Sequence, residues 1–76
     1  MKINVVYENT NGLTVFDPSV FDVQENESID KLACLVNEEL NDHKLAFRLK
    51  YNYINLRGET FKEMGIIDNS TIICEI

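Results

Sequence analysis

The sequence predicts an α+β fold, with one amphipathic helix laid across one face of a small mixed sheet of four to five strands. Three observations carry this reading. Residues 28–41 form the one segment long and periodic enough for a sizeable helix, with apolar residues at 29, 32, 33, 36 and 40 on a single helical face. The remaining segments are short runs in which apolar and polar residues alternate. Turn and breaker signals, among them Asn11-Gly12, Asp17-Pro18 and Arg57-Gly58, separate those runs.

Residues 1–8 alternate as a half-buried strand, with Met1, Ile3 and Val5 on one face and Lys2, Asn4 and Val6 on the other. Asn9-Thr10-Asn11-Gly12 is a hairpin turn, because Asn and Gly both accept positive φ. Leu13-Thr14-Val15-Phe16 returns, Asp17-Pro18-Ser19 interrupts because proline donates nothing to a ladder, and residues 20–24 resume. The stretch 13–24 is either one bulged strand or a loop followed by a strand. A polar lead-in reaches Ser28, whose hydroxyl suits an N-cap. Glu27 and Asp30 place negative charge at the positive end of the helix dipole, and Asn41 suits a left-handed helix end.

Asp42-His43 then turns the chain into residues 44–50, with Leu45, Phe47 and Leu49 on one side and Lys44, Ala46, Arg48 and Lys50 on the other. Residues 51–56 read as a turn with a short edge strand. Tyr51 and Tyr53 flank that turn, either packing at the sheet edge or meeting a partner. Thr60 and Glu63 have capping-box spacing and Gly65 follows as a C′ glycine, which brackets a short helical turn near 60–64. Residues 71–76 form the last strand, with Ile72, Cys74 and Ile76 inward. The first and last strands can lie side by side at the centre of the sheet, in parallel.

The length fits one domain, residues 1–76, whose fold hides only about 60% of the unfolded surface. A net charge of -6, from 13 acidic against 7 basic residues, argues against nucleic acid or an anionic membrane as partner. No apolar run is long enough to span a bilayer, and Met1-Lys2-Ile3-Asn4 lacks the regions of a signal peptide, so a cytoplasmic protein is expected. Cys34 and Cys74 are too few for a disulfide framework, and each is expected to be a small buried hydrophobe. Catalysis is not expected: the single histidine, His43, lies in a turn about two helical turns beyond Cys34, and Cys74 is on another element. Two separated cysteines and one histidine do not make a zinc site, and no glycine-rich loop cradles a phosphate, so neither metal nor cofactor is expected.

The element order resembles the β-grasp fold of ubiquitin. Phe21-Asp22-Val23, the polar lead-in and Ser28-Ile29 resemble ubiquitin's second strand and helix start. Gly58-Glu59-Thr60-Phe61, Met64, Ile66 and Asn69-Ser70-Thr71-Ile72 resemble its closing run without a gap. The resemblance covers nearly the whole chain, residues 9–18 being longer than ubiquitin's first turn. Conjugation in that family uses a flexible Gly-Gly tail, and here the sequence ends at Cys74-Glu75-Ile76, so the resemblance implies no conjugation. A carrier role needs a longer natural chain ending in Gly-Gly. Charge at Arg48 and Glu75 stands where the family carries an apolar patch, so recognition by ubiquitin receptors is not expected.

Within the family, Ser19-Val20-Phe21-Asp22-Val23 and the Asp68-Asn69 turn are similar to the small YukD and EsaB proteins of Gram-positive type VII (WXG100) secretion systems. That similarity implies a cytosolic accessory or regulatory role exercised through protein contacts. The alternative is a generic ubiquitin-like adaptor or regulatory module unrelated to secretion.

One feature points to a surface. Lys44, Arg48 and Lys50 form a basic stripe on one strand face of an acidic protein. It is either a solvated face, with Arg48 paired to Glu75 or another acid for about 0.2–1 kcal/mol, or a docking surface for an acidic partner segment. The docking surface would include Lys2, Asn4, Val6, Ile73 and Glu75, with Arg48 as the anchor, since guanidinium groups are enriched at binding hot spots.

Overall fold

The computed structural model describes residues 1–41 and 45–76. Its elements are β1 (Lys2–Glu8), β2 (Thr14–Asp22), α1 (Ile29–Glu39), β3 (Arg48–Tyr51), β4 (Ile54–Asn55) and β5 (Ser70–Glu75). The five strands form one mixed sheet in the order β2-β1-β5-β3-β4, and α1 crosses one face: a β-grasp-like α+β architecture. β1 and β5 run parallel at the centre, with Ile3 opposite Ser70 and Val5 opposite Ile72; the other pairings are antiparallel.

Period-two alternation gives the sheet its two faces. Ile3, Val5 and Tyr7 of β1, Ile72 and Cys74 of β5 and Leu49 of β3 point inward and are buried. Ile29, Leu32, Val36 and Leu40 meet them from the helix, and Val23, Leu56, Phe61 and Ile66 close the core from the connecting segments. The Tyr7 ring meets Phe16 edge-on, centroids 6.0 Å apart, and its hydroxyl bonds the Ser19 hydroxyl at 2.9 Å. Burial raises the Tyr7 pKa, partly offset by that bond.

The stretch 13–24 resolves as one bulged strand. Between the Val5–Ser19 and Tyr7–Phe16 pairs, β2 spends three steps against two of β1, and between Tyr7–Phe16 and Glu8–Thr14 it spends two against one. Pro18 falls in the first irregularity, on the outermost strand, where its missing N–H costs no ladder bond. In the preceding turn, Asn9 Oδ1 accepts from the N–H groups of Asn11 (2.9 Å) and Leu13 (3.1 Å), and Gly12 takes φ +79°.

Ser28 caps α1, its hydroxyl accepting the Asp30 N–H at 3.1 Å. The helix ends earlier than 41: Leu40 is the C-cap, at φ -93° and ψ 6°, so the closure is not the left-handed Asn41 expected. Glu27 lies outside the first turn and accepts the Gln24 N–H instead, at 2.8 Å. The capping box forms as spaced, Glu63 N–H to Thr60 Oγ1 and Thr60 N–H to Glu63 Oε1, both 3.0 Å. Residues 61–65 make turns only, closed by Gly65 at φ +71°.

Two further expectations need correction. Among the described residues, the strand expected over 44–50 begins only at Arg48: β5 ends opposite it, at Glu75, so residues 45–47 have no strand across from them. Lys44 lies outside the described residues. Cys34, expected inside, is exposed. At about 100° per residue it sits some 155° from the centre of the buried stripe, on the solvent side of the helix.

Candidate functional site

The candidate surface is the outer face of the sheet, which the helix leaves open. The register sets its rows. Val20, Asn4 and Thr71 lie abreast; then Val6, Ile73, Lys50 and Asn55; then Glu8, Glu75 and Arg48. Val20 is 61% exposed, while Val6 and Ile73 are half-buried between their neighbours. The centre is thus a short apolar strip of Val20, Val6 and Ile73, bordered by charge.

The ion pairs on this face decide which charges remain available. Arg48 stands directly across from Glu75, but Glu75 pairs with Lys50, diagonally placed, Nζ to Oε2 at 2.9 Å. Their side chains retain only 28% and 25% of full exposure, so this pair is better shielded than an ordinary surface pair. Lys2 bonds Asp22 at 3.1 Å, and Asp22 also meets the N-terminal ammonium at 3.3 Å. The Lys2 hydrogen bond, foremost, holds the Asp22 carboxyl below the usual carboxylate range. Asn4 donates to the Asn69 carbonyl at 3.2 Å. Arg48 is exposed and has no ion-pair partner among the described residues. The structure therefore brings Arg48, Lys50, Ile73 and Glu75 together and leaves Arg48 as the free cation. Lys44, the remaining member of the stripe, lies outside the described residues, as does His43.

Nucleophilic chemistry finds no support in Cys74. It is fully buried, and burial pushes its thiol up to about 12, so the thiolate is not formed near neutrality. Among the described residues no group of three or more His, Cys, Asp or Glu side chains is placed to hold a metal. No described helix is long and apolar enough to cross a membrane.

A second concavity was not legible in the sequence. It lies between α1 and the β3–β4 edge, about 450 Å³ in volume, lined by Ala33, Phe47, Leu49 and Leu56 together with Arg48 and Arg57. Arg57 stands in the loop after β4, seven residues beyond Lys50 and outside the basic stripe, and the short length of β4 opens this edge.

The chain matches no protein-family model and no curated relative.

Proposed function

We propose that this chain is a non-catalytic, ubiquitin-like protein-binding module working in the cytoplasm. Its reading is that of an accessory or regulatory component of a bacterial type VII secretion system, of the YukD and EsaB kind. The observation that carries the binding role is the outer sheet face: the Arg48 guanidinium, without an ion-pair partner among the described residues, beside the apolar strip of Val20, Val6 and Ile73. A central apolar contact with an arginine at its border is the composition that concentrates binding energy at interfaces. The β-grasp-like fold and the YukD- and EsaB-like runs at 19–23 and 68–69 support the secretion assignment.

The test is retention of the cytosolic parts of the secretion apparatus on the immobilised protein. Arg48→Glu and Val20→Asp alter exposed side chains, so the far-UV CD spectrum should stay unchanged while retention is lost. Retention that survives both changes removes the outer face from the reading. Genes for WXG-motif substrates and a membrane ATPase beside the coding gene support secretion; without them the generic adaptor reading stands.

A further inference from the structure

We infer that the groove between α1 and the β3–β4 edge is a second docking site, for an extended partner segment of alternating acidic and apolar residues that adds to the sheet beside Phe47. The inference rests on the reading of this domain as a protein-binding module, and it concerns a different face.

The edge of the sheet is open where the groove runs. β4 is only two residues long and covers β3 at Lys50 and Tyr51, and the Leu56 N–H extends that cover to the Leu49 carbonyl at 2.8 Å. A strand added there would draw Phe47, which directly precedes β3, into the alternation that turns its N–H and C=O to the side of the Leu49 carbonyl. Among the described residues those Phe47 groups have no hydrogen-bond partner. An unpaired stretch of sheet edge is a template for another strand.

The walls specify the side chains of the visitor. A strand laid beside Phe47 sends alternate side chains to the two faces of the sheet. On the helix side it meets Ala33 and Phe47, both half-buried, over Leu49 and Leu56, which calls for apolar residues. On the outer side it meets Arg48, and Arg57 also lines the groove. Both arginines are exposed, and neither has an ion-pair partner among the described residues. Among the described residues Asp30 is the one carboxylate lining the groove, so two guanidinium groups outweigh it there in a chain with 13 acidic and 7 basic residues. That local inversion of charge calls for carboxylates, with which arginine forms paired hydrogen bonds. A net charge of -6 on each molecule disfavours a second copy as the occupant.

The probe is a blocked synthetic peptide, Glu-Val-Glu-Ile-Glu-Val-Glu, added to the isotope-labelled protein and followed by amide NMR. Saturable shifts are expected at Ala33, Phe47, Arg48 and Leu49, with exchange of the Phe47 amide slowed at least tenfold. Arg57→Glu should weaken binding at least tenfold with an unchanged CD spectrum, because Arg57 is exposed and its bond to Glu59 (2.7 Å) is made by the backbone N–H. The Lys-for-Glu peptide should not bind. Val20→Asp should leave peptide affinity as it was, which separates this groove from the outer face. Absent shifts, shifts confined to β2, or indifference to Arg57→Glu overturn the inference and leave the outer-face reading intact. Concentration-dependent shifts without peptide overturn it in favour of a second copy. Loss of partner retention in Val20→Asp, or its persistence, bears on the outer face alone.

Discussion

Leu32→Ala is the sharpest test of how α1 is held. Leu32 is completely buried, in the middle of a helix whose inward stripe of Ile29, Leu32, Val36 and Leu40 meets both central strands. Truncation loses the transfer free energy of the deleted carbons and leaves a cavity, and the known range for such sites is about 2–5 kcal/mol. A site ringed by core neighbours on helix and sheet collapses poorly, which places the cost near the middle, about 3 kcal/mol. Domains of this length have total stabilities of only about 4–11 kcal/mol, at roughly 0.05–0.15 kcal/mol per residue. The melting temperature should therefore fall by about 12–24 °C, at about 4–8 °C per kcal/mol. Cys34→Ala, two positions along but exposed, is the internal control and should change stability by less than about 0.5 kcal/mol. Thermal unfolding followed by CD reads both. A fall of under about 3 °C for Leu32→Ala, or an equal fall for Cys34→Ala, means the buried stripe is not the one described.

The two thiols should separate under a thiol reagent, with Cys34 reacting in the native protein and Cys74 only after denaturation; prompt reaction of both would contradict the burial of Cys74. Asp22 carries an acid-linked contribution: its folded pKa is depressed, so its stabilisation is present above the ordinary carboxylate pKa and is lost as pH falls through the folded value. Asp22→Asn should flatten the acid limb of the stability profile, and a profile identical to that of the parent protein would count against the Lys2 contact. Tyr53 sits at φ +66° in the β3–β4 turn with its side chain wholly exposed. Tyr53→Gly should relieve the left-handed strain, giving about 0.5–1 kcal/mol after glycine's entropy cost, read as a higher urea midpoint.

Much of the fold was legible because local chemistry and global position agree. The Ser28 cap, the Thr60–Glu63 box and the inward alternation of β1 each have one structural solution, and the structure takes it. What was hidden depended on distant partners. Whether residues 44–50 form a full strand is decided by where β5 stops, not by their own pattern. Whether Pro18 breaks β2 or is carried in a bulge is decided by its place at the sheet edge. Cys34 was misread because membership of an apolar segment is not membership of its buried face. At the outer face, the register let either Arg48 or Lys50 reach Glu75; the diagonal geometry chose Lys50.

The central pairing of β1 with β5 joins residues near opposite ends of the chain, such as Ile3 with Ser70. During synthesis the middle of the sheet is missing its second rail until β5, 67 positions after its partner in β1, has been made and has cleared the ribosome exit tunnel. Nascent β1 must wait until then with its apolar residues uncovered. Removing β5 would therefore leave no smaller version of the domain, while supplying it as a separate peptide should restore the fold from the two pieces.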